Sequence, residues 1–208
     1  MQRFRHTIKN WLFLLTVIAG TAPAGGLMFV RENIAVSLLL PDTVMVHGEY
    51  FFCSGDTVPA SSQLYYPFPI DSSAGFPCYS KVRDERFAKD IPFSSDHEGI
   101  SFPVTVRAGD TTEIVVVYKQ QTGKRTGWYI LLTTGAWSRP LVNSRYSVSI
   151  PNTMTLAYMS YECDSVVSAG NCIVYHFYKK KFMPDRDLSF SWKGLESKKQ
   201  TPQSTVSP

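Results

Sequence analysis

Residues 100–118, ISFPVTVRAGDTTEIVVVY, decide the fold class. Ile100, Phe102, Val104 and Val106 alternate with Ser101, Pro103, Thr105 and Arg107, and Ile114, Val116 and Tyr118 keep the same rhythm further on. Successive side chains of an extended chain point to opposite faces, so an apolar residue at every second position marks a half-buried strand. Ala108-Gly109-Asp110-Thr111 reads as a turn, and two periodic runs around a Gly-containing connection predict a β-hairpin. Pro103 has no N–H for a ladder, which predicts an edge or bulged strand.

The same period spreads outward. Upstream, Asn33–Leu40 sets Ile34, Val36, Leu38 and Leu40 on one face, and Thr43–Cys53 alternates Val44, Val46, Gly48, Tyr50 and Phe52 with Met45, His47 and Glu49. Downstream, Gly127–Thr134, Arg145–Ile150, Thr155–Cys163, Cys172–Lys179 and Leu188–Trp192 read as further strands. About nine strands with turn signals between them and no βαβ alternation predict an all-β fold, an antiparallel β-sandwich over residues 33–195. Segment 54–96 holds Pro59, Pro67, Pro69, Pro77 and Pro92. It reads as an insertion of irregular structure with one helical turn at Val82–Lys89, and a long loop of that kind often carries function. Residues 200–208 lack an apolar cluster and predict a disordered tail.

The N-terminal segment sets the destination. Arg3, Arg5 and Lys9 precede the apolar run Trp11–Ala19, and small residues follow at Ala22 and Ala24. This is the plan of a signal peptide cleaved after Ala24. Trp11–Val30 is also uncharged and long enough to cross a bilayer as an N-terminal anchor helix, which would give membrane contact through residues 11–30. Both readings export the remainder to a periplasmic or secreted location. The formal charge of +4 comes from 21 bases and 17 acids, and three of those bases lie in residues 1–24. The mature chain is then close to neutral and carries no long-range field for nucleic acid.

Cys53, Cys78, Cys163 and Cys172 are four cysteines in a chain expected to meet an oxidising compartment, which predicts two disulfides. Asp164–Asn171 reads as a loop between strands, so Cys163–Cys172 would staple a hairpin and Cys53–Cys78 follows by elimination. Free thiols are the alternative. The spacings do not suit zinc.

Catalytic signatures are missing from the sequence: there is no G-x-S-x-G, Walker A, G-x-G-x-x-G or H-E-x-x-H motif, and neither cofactor nor metal is expected. Asp96-His97-Glu98 is the one compact ligand-like group, but alternation would turn His97 away from its neighbours, and a solvated loop is expected. Asp84-Glu85 between Arg83 and Arg86 reads as an exposed turn. Lys179–Lys181 after Tyr175–Tyr178 reads as a strand end entering solvent. Tyr65, Tyr66 and Phe68, with Trp137, could form an aromatic platform for a sugar or peptide, since tyrosine and tryptophan combine large contact area with a polar handle.

The stretch Val104–Tyr118, read with Trp128–Leu131 and Tyr146–Pro151 (YSVSIP), resembles extracytoplasmic bacterial β-sandwich proteins of unknown function with an immunoglobulin-like build. The resemblance implies location and architecture and transfers no functional residue. The expected function is a non-enzymatic binding or assembly module with an envelope protein or glycan as partner. The alternatives are a surface-polymer hydrolase built on Asp96, His97 and Glu98, and a membrane-anchored structural accessory domain.

Overall fold

The computed structural model describes residues 26–194 except Pro41 and Asp56. The expected signal (1–24) and tail (200–208) lie outside the described residues, as does most of the expected anchor. The strands are β1 (Leu27–Leu39), β2 (Thr43–Ser54), β3 (Ala60–Pro67), β4 (Tyr79–Asp84), β5 (Lys89–Asp90), β6 (Ser94–Ser95), β7 (Gly99–Val106), β8 (Thr111–Gln121), β9 (Thr126–Tyr129), β10 (Leu141–Pro151), β11 (Met154–Met159), β12 (Ser165–Ala169), β13 (Cys172–Phe182) and β14 (Leu188–Gly194). One 3-10 helix, Leu132–Trp137, follows β9. No helix among the described residues is long and apolar enough to cross a membrane. Leu27–Val30, at the end of the expected anchor, is the start of β1 and not helix.

The all-β expectation holds, with several sheets and no closed barrel. The large sheet has the order β12-β13-β10-β1-β2-β8-β4-β5, and two three-stranded sheets run β11-β14-β9 and β3-β7-β6. The inward side chains of all three meet in one core, including Ile34, Val46, Ile100, Val116, Val148 and Phe190. Each such residue, when fully buried, contributes roughly 1.5–3 kcal/mol.

Four expectations about strands and their pairing are corrected first. The sheet is not purely antiparallel: β1 pairs with β10 in parallel, Arg31 opposite Asn143 through Ser37 opposite Ser149. The strands flanking Gly109 form no hairpin, because β7 belongs to a three-stranded sheet and β8 to the large one. Gly109 at φ 64° turns the chain between them. Both strands then show their apolar faces to the same core from opposite sides, an arrangement with the same two-residue period as a hairpin. Segment 54–96 is not irregular, since β3 to β6 lie in it and its prolines sit within two residues of strand ends. Val82–Lys89 is not helical: Tyr79–Asp84 is a strand that pairs with β8. Pro103 lies opposite Gln63 of β3. Its other side is open, since β6 reaches only Ser101 and Ile100.

The cysteines are all free. Register explains why the expected pairs do not form. Cys53 faces Thr111 at one end of β8, whereas Cys78 donates its N–H to the Lys119 carbonyl near the other end. Eight residues of strand separate those positions by about 26 Å. The expected loop 164–171 is mostly β12, and its turn is confined to Gly170-Asn171. Cys172 therefore sits beside that turn. Cys163 sits at the far end of the hairpin, where Asp164 N–H reaches the His176 carbonyl.

Candidate functional site

Glu32 is the residue that the fold places least expectedly. It lies on β1 in phase with Ile34, Val36 and Leu38, so it faces the core, where it is 2% exposed. A bulge between Phe29 and Arg31 shifts the register by one residue. The shift turns Phe29 inward as well and leaves Arg31 on the outer face, its guanidinium 3.7 Å from the centre of the Phe51 ring. Glu32 stands opposite Tyr50 of β2 and Ser144 of β10.

The Tyr146 hydroxyl donates to Glu32 Oε1 at 2.6 Å. Burial pushes the carboxyl up from 4.5 to about 7, and the Tyr146 hydrogen bond opposes this only in part. Loss of water disfavours the charged form of a carboxyl, so the direction follows from the setting. Nearby, the Tyr50 hydroxyl lies 2.8 Å from that of Tyr66 and 2.6 Å from that of Tyr129. Burial raises all three phenols well above their ordinary range, so they are neutral.

Glu32 and these phenols border a cavity of about 40 Å³. Phe29, Phe52 and Trp137 form one wall, with ring centres 5.2 to 5.7 Å apart. Tyr65 and Pro67 on β3, with Thr133 and Thr134 of the 3-10 helix, complete the lining. The volume admits a few atoms and no more, since a water needs about 10–15 Å³ on this measure.

Three of the four expected aromatics, Tyr65, Tyr66 and Trp137, thus line one cavity. They do not form an exposed platform. Alternation along β3 turns Tyr66 inward at 8% exposure, and Phe68 at 3% packs edge-on against it with ring centres 5.7 Å apart. Tyr65 is half-buried and donates its hydroxyl to Asp96 Oδ1 at 3.0 Å. Glu32 is missed by the sequence reading although its signal is there: the alternation that begins at Ile34 extends two residues back.

Asp96, His97 and Glu98 do not converge on one point. Asp96 Oδ1 accepts the N–H groups of Glu98 and Gly99, each at 2.8 Å, which holds its carboxyl below the usual range. His97 Nε2 lies 3.5 Å from Glu98 Oε1, but the His97 side chain is 85% exposed and this pair does not include Asp96. Among the described residues no group of three His, Cys, Asp or Glu could hold a metal ion.

The outer face of the large sheet carries a second feature. His176, Ser147, Ala35 and His47 form one row across β13, β10, β1 and β2. The next row holds Tyr178, Arg145, Asn33 and Glu49. Small Ala35 and Ser147 leave a shallow depression of about 130 Å³. Asn33 Nδ2 donates to Glu49 Oε2 at 2.7 Å, and Arg145 stands exposed at its rim.

No protein-family model and no curated protein matches the chain. Solved structures do. A proposed nutrient binding protein from Legionella pneumophila is similar with a TM-score of 0.62 at 17% identity, over 80% of this chain and 66% of that one. An M1 zinc metallopeptidase from Deinococcus radiodurans reaches a TM-score of 0.50 at 11% identity, over 80% of this chain and 42% of the enzyme. The chain therefore spans less than two thirds of either protein, and at these identities the likeness is one of fold.

Proposed function

We propose that this chain is an exported, non-catalytic binding module that receives its ligand at the mouth of the Glu32 cavity. The observation that carries the reading is a buried carboxyl group, Glu32, lining an aromatic-walled cavity together with Tyr65 and Trp137. A carboxyl placed inside a core without a charged partner is costly, and such groups concentrate at sites of function. The fold likeness to a protein described as nutrient binding agrees with this reading. Export rests on the leader. The architecture reads as a sandwich of immunoglobulin-like kind, with the three-stranded sheets laid over the large one and the parallel β1–β10 pair as its departure.

A thermal-shift screen of sugars, amino acids and peptidoglycan fragments against the purified chain tests it. Ligands that raise Tm by a few degrees in the native protein, lose that effect in Trp137→Ala and Tyr65→Ala, and are recovered chemically unchanged would support the reading. A screen in which every hit is indifferent to both substitutions, or in which a hit is converted to product, would overturn it.

A further inference from the structure

We infer that the cavity receives a protonated primary amine, with the Glu32 carboxylate as its counter-charge and the rings of Phe29, Tyr50 and Trp137 as its walls. The inference rests on the binding reading above and names the chemistry of the ligand.

The first ground is charge. Among the described residues Glu32 takes one hydrogen bond, from Tyr146, and only one of its two oxygens is engaged by it. No Lys, Arg or His among the described residues forms an ion pair with it within 4.0 Å. The titratable groups facing it are phenols: Tyr50 from β2, Tyr66 from β3, Tyr129 from β9 and Tyr146 from β10. All are neutral, so among the described residues the ionised carboxylate has no counter-charge. A buried ion is tolerated when it is paired.

The second ground is the wall. Aromatic faces carry negative potential and attract cations. The same faces disfavour an anion, which Glu32 would also repel. A neutral hydroxyl would leave Glu32 in its protonated form and would show no tightening as pH rises, which separates it from an amine.

The third ground is size. About 40 Å³ accepts an ammonium or methylammonium group but not a trimethylated head. The body of the ligand must then lie toward the partly exposed lining residues, Tyr65, Pro67, Thr133 and Trp137. A primary ammonium has three N–H donors, and the Glu32 oxygen left by Tyr146 and the lone pairs of the tyrosine hydroxyls offer acceptors.

Binding an amine stabilises the carboxylate form, so the site releases a proton when it fills near neutrality. With the free carboxyl titrating near 7, about a tenth of it is charged at pH 6 and about nine tenths at pH 8, which makes apparent affinity rise about tenfold across that interval.

The test is calorimetric titration of the full chain with 2-phenylethylammonium chloride at pH 6, 7 and 8, beside neutral 2-phenylethanol and anionic phenylacetate. The expected result is amine binding that tightens about tenfold from pH 6 to pH 8 and releases protons to the buffer at pH 7. Glu32→Gln should lose at least tenfold in affinity and all of the pH dependence. Tyr146→Phe keeps the carboxylate but removes the bond that favours its charge, so it should move the pH midpoint upward; this arm stands if Glu32→Gln does not fold. Equal binding of the amine by the native chain and Glu32→Gln would overturn the inference. Trp137-dependent binding of the alcohol or phenylacetate in place of the amine would overturn the amine assignment and leave the cavity as a binding site. Failure of all three probes, with Trp137→Ala without effect in the ligand screen, would remove both readings.

Discussion

Replacing Glu32 by Gln keeps an acceptor for Tyr146 and removes the charge. The sign of its effect on stability follows from the raised carboxyl. Below pH 4.5 Glu32 is neutral in both folded and unfolded chains, and its contribution is fully present. Between 4.5 and about 7 the unfolded chain ionises while the folded one resists, so the contribution is lost as pH rises through 7. That interval corresponds to about 3 kcal/mol. Urea unfolding at pH 4.5, 6 and 7.5 should show Glu32→Gln gaining on the native chain by up to that amount and then running parallel to it. Profiles that are parallel throughout would mean that the carboxyl is not desolvated. Tyr146→Phe leaves the carboxyl without its donor and should cost about 1–3 kcal/mol in the same measurement. At this scale the sequence is half legible. The chemistry of Tyr65, Tyr66 and Trp137 singles them out, and they do meet. Glu32 escapes because pattern reading expects no acid at an inward position, so the first strand reads as starting at Asn33.

Elements show where periodicity succeeds and where it is blind. Gly48 faces the core in β2, and a methyl group there would overlap the Tyr50 phenol. That ring is held by two hydroxyl contacts and has little room to yield. Gly48→Ala should therefore cost about 1–3 kcal/mol in denaturant unfolding, against a few tenths for a tolerated change. Gly109 has open space around it but a left-handed backbone. Gly109→Ala should cost about 1–2 kcal/mol through conformation alone. The strands on either side are legible in the sequence, but their partners are not. A two-residue period reports which face is buried and says nothing of whether the next strand lies beside it or across the core. The cysteine pairing fails for a related reason: β12 is exposed throughout and its residues give no inward rhythm. Thiol titration of the denatured chain without reductant should count four free groups; a count of two or none would contradict the strand register that keeps them apart.

For the whole molecule, the all-β class follows from the strand rhythm, while the division into one large and two small sheets depends on contacts between residues far apart in sequence. The parallel pair is the extreme case, since β1 lies between β2 and β10. If the leader is a cleaved signal, mass spectrometry of the secreted chain should find Gly25 at its N-terminus, and an intact Met1 on membrane-bound material would favour the anchor instead. The position of β10 also has a consequence for biogenesis. A ribosome that has finished Leu39 must add roughly a hundred more residues before Leu141 emerges, about 5–20 s at ordinary elongation rates. Through that interval one side of the first strand offers unsatisfied amides and carbonyls to any neighbour. Nascent chains of this protein should therefore depend on a holding chaperone until the tenth strand arrives.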